Sequence, residues 1–448
     1  MSERLVVRRT RQGRRMAWVA GVMSLLLGPI TVQPVLASYQ GDTLQQEAER
    51  RYRLEPGVFV YGTSFVAPLA ELFGEIYVGD GVFVAANSIL RAAPTRQIVV
   101  GTGSSVQDNV IVRALEDNIE IGDNATITHH AIVRNSQIGS RAYIGYRATL
   151  TDARIGDGAV IWHGARVEGV NIPRNAFVGA GRVITSQAQA DALPKVPMED
   201  KEYTNRRLQS NQAFARGYIQ LYQTEGYEAV IGLSRNPRTQ ILPRTTEPRI
   251  SPDVELQEFV RIVGDVRVGR NSSIGQRTTI RADEGSPIII GANANIDDRV
   301  TFHALEETDV RIGNDLTVDD DAVIHGPLDI GDSVTVGEGA VVFNATVGDN
   351  VKIGSHAIIS TPPGEESRIV IPANSEMPDG AVITGPKDLN KLQPRSTDDQ
   401  NETPEALPKT GSGGLSIGRA AALGAAGAHY AVPEPSTRTL LQVGNRNR

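Results

Sequence analysis

The sequence predicts an all-β protein made of two tandem hexapeptide parallel β-helices, the first followed by an α-helix, with a disordered C-terminal tail. Three observations carry this: aliphatic residues recur every six positions, the pattern runs twice, and the composition suits a narrow prism. The 448 residues include 45 Gly but only 2 Trp, 11 Tyr and 9 Phe. A six-residue period with three repeats per coil points one aliphatic side chain per strand into a triangular prism, where rings are hard to fit. Stacked coils then bury a continuous core that no single coil could close.

In the first half the triplets are Ile121, Ile127, Val133; Ile138, Ile144, Leu150; Ile155, Ile161, Val167; and Ile172, Val178, Ile184. Equivalent members lie 17 residues apart. The pattern restarts at Val268, Ile274, Ile280 and Ile290, Ile296, Phe302, and continues through Ile312, Val318, Ile324 to Ile359. Between the prisms, residues 197 to 223 read as a helix, with Tyr203, Leu208, Phe214, Tyr218, Leu221 and Tyr222 on one face. Pro237, Pro243 and Pro248 mark the linker that follows.

The ends read differently. Arg4, Arg8, Arg9, Arg11, Arg14 and Arg15 precede an apolar stretch from Met16 to Val35 and the small-residue site at Ala37. That is the layout of a signal peptide. The expected organisation is a signal peptide over 1–37, a linker over 38–54, the first β-helix plus helix over 55–224, a linker over 225–250, the second β-helix over 251–386 and a disordered tail over 387–448. The mature chain is expected to be exported (periplasm, extracellular space or an equivalent lumen) with no stable membrane span. Within the tail, Leu407–Gly411 and Val432–Thr437 look like sorting strings but lack the apolar span and basic end such signals need.

Composition narrows the chemistry. With no cysteine, thiolate metal sites, disulfides and thiol nucleophiles are excluded. A net charge of −7 gives no basic footprint for nucleic acid. Any metal must be held by the seven histidines and the carboxylates. By position, His129, His303, His325 and, less so, His130 stand out. His163, His356 and His429 have no partner at a repeating offset and read as solvated surface residues.

The second prism carries Arg281-Ala282-Asp283-Glu284-Gly285, then Asp297-Asp298-Arg299-Val300-Thr301-Phe302-His303-Ala304-Leu305-Glu306, and later Val323-Ile324-His325-Gly326-Pro327. The first carries Thr185-Ser186-Gln187-Ala188-Gln189-Ala190-Asp191 and Asn211-Gln212-Ala213-Phe214-Ala215-Arg216-Gly217-Tyr218. Together these closely resemble the γ-class carbonic anhydrases, trimeric left-handed β-helix enzymes with a metal between subunits. The resemblance implies left-handed prisms, a homo-oligomer with β-helix-to-β-helix interfaces, and a Zn2+ cofactor (Fe2+ or Co2+ would suit the same ligands). It also implies CO2 and bicarbonate as substrates.

The family's three histidine positions fall on His303, Asp320 and His325 in the second prism, and on Arg113, His129 and Arg134 in the first. Its active-site glutamine falls on Gln107 and on Asp297. Neither prism keeps the whole set, and two arrangements follow. Docking the Gln107/His129 face of one prism on the His303/His325 face of the other rebuilds a three-histidine site with its glutamine. The converse contact would set Arg113 and Arg134 against Asp297 and Asp320. Alternatively, a ring of second prisms would offer His303, His325 and Asp320. By the same resemblance, Glu284 and Glu306 match proton-transfer and site-lining acids, Asn211 a lining position, and Arg281 with Asp283 a cross-subunit ion pair. Arg91 keeps its place, but Ala93 replaces the matching acid, so Arg91 is expected to pair only with an Asp283 from a second prism. The functional expectation is an exported zinc-dependent carbonic anhydrase with a composite interface site. The alternative is an inactive scaffold or ligand-binding assembly on the same fold.

Overall fold

The computed structural model describes residues 55–395, so the segments read as signal peptide and most of the tail lie outside the described residues. The first prism consists of three seven-stranded parallel sheets, each strand pairing with its counterpart one coil away. Ile121 pairs with Ile138, Ile127 with Ile144 and Val133 with Leu150, which sets the six-residue period on three successive faces. Alternation along each short strand sends these side chains inward, and they are fully buried. The prism begins earlier than the triplets read from sequence: Val58 pairs with Ile76 and Ile76 with Ile98. Those coils keep the six-residue step, as in Val60, Val66, Leu72 and Val78, Val84, Leu90, but their coil-to-coil interval is irregular: Val78 to Val100 is 22 residues against 17 from Ile121 to Ile138.

The second prism is built the same way and is left-handed like the first. Its strands Val323–Ile330 and Val341–Val347 run unbroken past a corner, so two faces join in one 13-stranded sheet beside an eight-stranded one. Each prism has its own aliphatic core. Residues 387–395, read as the start of the tail, are folded: a 3-10 helix covers Pro386–Lys391 and Gln393–Pro394 adds an antiparallel strand beside Ser375–Met377. No helix among the described residues is long and apolar enough to cross a membrane.

Two helices follow the first prism. Helix α1, Gln187–Asp191, starts at Ser186 in a capping box with Gln189. Helix α2, Met198–Glu225, packs Phe214, Tyr218 and Leu221 on Phe65 and Phe83 of the first prism. Its buried stripe differs from the apolar face expected: Leu208 is only half-buried, while Arg207, Ser210 and Asn211 are buried. Polar residues occupy the stripe because this part of the helix crosses the boundary between the prisms.

The two prisms meet side by side. Corner residues of the first, Asn87, Asn109, His130 and Arg147, adopt left-handed backbone angles and reach across. Asn87 donates to the Arg277 carbonyl, Asn109 to Thr301 Oγ1, and Arg147 to the Asp321 carbonyl, while His130 Nε2 lies 2.9 Å from Thr301 Oγ1. Further along, Trp162 Nε1 donates to the Thr361 carbonyl at 2.9 Å.

Candidate metal centre

Strand alternation builds the second prism's half of the site. In Thr301–His303, Phe302 enters the core and leaves Thr301 and His303 on the outer face. Register then stacks Arg281, His303, His325 and Phe343 on successive coils. The first prism answers with Gln107, which follows the strand Ser105–Val106, and His129, placed just before the left-handed corner at His130.

The structure brings His129, His303 and His325 together, their ligand nitrogens all within 4.8 Å of one another. All three rings are buried. Their outer nitrogens are engaged. His325 Nδ1 lies 2.9 Å from the Gly326 carbonyl, His303 Nε2 lies 3.1 Å from Asp283 Oδ1, and His129 Nδ1 lies 3.3 Å from Asp108 Oδ2. A carbonyl or a carboxylate can only accept, so each of these nitrogens carries the ring hydrogen. In those tautomers the opposite nitrogens, His325 Nε2, His303 Nδ1 and His129 Nε2, carry lone pairs and face one another, while His129 Nδ1 keeps an ion-pair contact rather than a hydrogen bond to Asp108.

Two of the three rings resist protonation. Burial lowers the His129 imidazole to about 3 and pushes His325 well below its usual range, with the neighbouring imidazoles adding to the His325 shift. Three converging lone pairs in a buried site fit a cation, and nitrogens about 2.1 Å from a tetrahedral zinc would stand roughly 3.4 Å apart. His303 Nδ1 and His325 Nε2 are already 3.2 Å apart. The surroundings are charged. Arg281 bridges Asp108 and Asp283, each at 2.9 Å, so two carboxylates share one buried guanidinium. Burial is the largest influence and would raise Asp108 and Asp283, but Arg281 together with the neighbouring His129, His303 and Tyr218 outweighs it and holds both carboxyls below their ordinary value. A second buried guanidinium, Arg261, lies within reach of both carboxylates, so the cluster beneath the imidazoles holds two acids and two arginines. The run His129–Asp108–Arg281–Asp283–His303 links two of the three rings across the prism boundary, and Tyr218 of α2 donates to Asp283 at 2.5 Å.

Beside the cluster lies a cavity lined by Gln107, Tyr143, Tyr146, Arg207, Asn211, Glu284, His303, Leu305 and His325, with room for about one water. Gln107 Nε2 donates to Asn211 Oδ1 at 3.0 Å, and Asn211 Nδ2 donates to Ser105 Oγ at 2.9 Å. This turns Gln107 Oε1, buried and without a partner, into a spare acceptor at the cavity. Glu284 is paired with Arg207 of α2.

Several expectations need correction. His163 is buried, not solvated: Tyr146 N–H donates to its Nδ1, and it stacks on the Tyr146 ring at 4.0 Å. His356 is exposed, and His429 lies outside the described residues. Asp320 is exposed and accepts the Asp298 N–H; within the chain the third imidazole beside His303 and His325 is His129. Arg134 and Asp320 are both exposed, so the converse contact is not made within the chain. Arg91 is exposed while Asp283 is buried against Arg281, Tyr218 and His303, so the expected Arg91–Asp283 pair does not form here. Arg281 and Asp283 pair inside one prism, and the cross-prism partner of Arg281 is Asp108. Glu306 does not line the cavity; it is half-buried on the turn one residue past Leu305, which does. Sequence reading missed Asp108 and Arg207. The first follows Gln107 directly, and the second lies four residues before Asn211 on the same helix face.

A carbonic anhydrase from Methanosarcina thermophila is 30% identical over 187 residues, an alignment covering 37% of this chain and 73% of that protein. The chain belongs to the γ-class carbonic anhydrase family. The mitochondrial γ carbonic anhydrase 2 of Arabidopsis thaliana is 25% identical over 258 residues, covering 48% of this chain and 86% of that one. The carboxysome assembly protein CcmM of Nostoc is 30% identical over 172 residues, 36% of this chain, and the match spans only 31% of that protein's length. No protein-family model matches the chain. In this γ-class chain both halves of the histidine cluster belong to one polypeptide.

Proposed function

We propose that the protein interconverts CO2 and bicarbonate at a zinc ion held by His129, His303 and His325, at the boundary between its own two prisms. The observation that supports this most is the convergence of three bare, buried imidazole nitrogens beside the spare acceptor of Gln107. A bound zinc ion supplies the Lewis acidity that lets water ionise near neutral pH. The chain's residues do the rest. Asp108, Asp283 and the Gly326 carbonyl keep the three rings in the tautomers that present lone pairs inward. Gln107, held by Asn211, accepts a hydrogen bond from the reacting water and aims its oxygen at CO2. Tyr143, Tyr146 and Leu305 keep bulk water away. Glu284 at the cavity and Glu306 beyond Leu305 pass the released proton outward. Iron or cobalt would serve with the same nitrogens.

The exported location rests on residues 1–37. Chains are further inferred to associate through the faces the intrachain contact leaves open. Arg113 and Arg134 on one chain would face Asp297 and Asp320 on another. Burial and then the charges of Asp320, Asp319 and Asp298 raise the Asp297 carboxyl to about 6, as expected of a crowded acidic corner awaiting a cation. A second reading, a scaffold without catalysis, draws on the similarity to the assembly protein CcmM. Zinc content and CO2 hydration by the purified full chain separate the two: metal with hydration supports the enzyme, and neither supports the scaffold.

A further inference from the structure

We propose that Arg207 is an anion-binding residue of the cavity, taking the planar carboxylate-like face of bicarbonate and, by the same chemistry, other small planar oxyanions. This rests on the proposed reaction and adds to it a residue that sequence reading did not find. Arg207 stands on α2, which the first prism carries, and it lines the same cavity as His303 and His325 of the second. Its side chain is only 10% exposed. One guanidinium nitrogen, Nη1, is engaged by Glu284, and the plane lies over the Tyr203 ring, 5.4 Å from its centre. Its Nε, by contrast, is buried and has no hydrogen-bond partner.

A buried N–H without a partner carries a desolvation penalty that a fitting acceptor would recover. The cavity holds a matching vacancy of the other sign, the unpartnered Oε1 of Gln107. A donor and an acceptor left over in one small space suit a ligand with both an anionic oxygen and a hydroxyl, which bicarbonate has and CO2 lacks. A guanidinium prefers such planar oxyanions because its donors lie in one plane. The cavity has room for about one water, so an oxyanion enters only as that water leaves and the guanidinium shifts. Pairing with Glu284 tempers its charge, so that the anion is held weakly enough to be released.

The test is titration of formate, a planar oxyanion that does not react, against the zinc-loaded full chain. Arg207→Gln should weaken formate at least tenfold with zinc content unchanged. Arg207→Lys, which keeps the charge but loses the planar fork, should fall between. Formate affinity within twofold of wild type in Arg207→Gln overturns the proposal. So does loss of zinc in that variant, because Arg207 would then be supporting the cluster. Should Arg207→Gln fail to fold with Glu284 left unpaired, the double variant Arg207→Met/Glu284→Gln removes both members of the pair. Its formate affinity is read the same way, and Glu284→Gln alone should bind formate at least as tightly as wild type. If the wild-type chain takes up no zinc, the carbonic anhydrase reading fails. Formate constants of the metal-free wild type and Arg207→Gln then still decide the role of Arg207.

Discussion

His303 Nδ1 stands 3.2 Å from His325 Nε2, and both nitrogens are bare because each ring spends its hydrogen on the other side. Two lone pairs so close repel unless a cation lies between them. The strand register that pairs these residues creates the contact, and the first prism closes it with His129.

Metal binding should therefore stabilise the fold. With zinc at about 100 times its dissociation constant, linkage adds roughly 2.7 kcal/mol. Calorimetric melting with and without a chelator checks this. An unchanged melting temperature after zinc is added would contradict it.

The metal-free protein should be acid-sensitive. Burial holds His129 at about 3 and His130 at about 4, and pushes His163 and His325 well below the ordinary 6.5. Below pH 6.5 the unfolded chain binds protons that the folded chain refuses, so stability is full above 6.5 and falls as pH drops towards 4. Each such imidazole contributes up to about 1.4 kcal/mol per pH unit. Below pH 4, carboxyls held low by Arg281, such as Asp108, add a loss of the same sign. Urea unfolding from pH 7 to 5 should show the fall; equal midpoints throughout would refute it.

Asp108→Asn should reach the metal through His129. The substitution removes the carboxylate that fixes the ring's tautomer and half of the compensation for Arg281. Metal affinity should weaken about 10- to 100-fold, and the metal-free fold should lose up to about 3–5 kcal/mol if the guanidinium is left poorly paired. Competition with a chromophoric chelator measures the first effect and denaturant titration the second. Wild-type zinc affinity in this variant would remove Asp108 from the account.

Association through the open faces should depend on charge. Arg113→Glu with Arg134→Glu should shift sedimentation towards the single chain, and raising salt should do the same in wild type. A wild-type chain that sediments as a monomer in low salt contradicts this.

Much of the fold is legible because each short strand has room for one inward aliphatic, so Ile121, Ile127 and Val133 announce their faces. Coils between Val60 and Val112 keep the same six-residue step (Val60, Val66, Leu72; Val78, Val84, Leu90; Val100, Val106, Val112), but longer corners between triplets upset the 17-residue coil repeat while the pairing of Ile76 with Ile98 persists. At the site, His303 and His325 can be singled out from sequence because each follows an inward residue one coil apart, Phe302 and Ile324, and His129 through the resemblance of its position to a family histidine. His163 lies one coil beyond Tyr146 and two beyond His129 on the same ladder, and that 17-residue step is the sequence signal of its burial. Arg207 and Asn211 escape an apolar-face reading of α2 because the helix buries them against a polar cavity. Asp108 escapes because its role depends on Arg281 in the other prism, a pairing that only docking creates.

The most direct measurement is zinc content together with CO2 hydration for the purified full chain, His129→Ala and Asp320→Ala. The account predicts zinc and hydration in wild type, loss of both in His129→Ala, and retention of both in Asp320→Ala. Zinc and activity intact in His129→Ala but abolished in Asp320→Ala would contradict it and place the metal in a ring of second prisms instead.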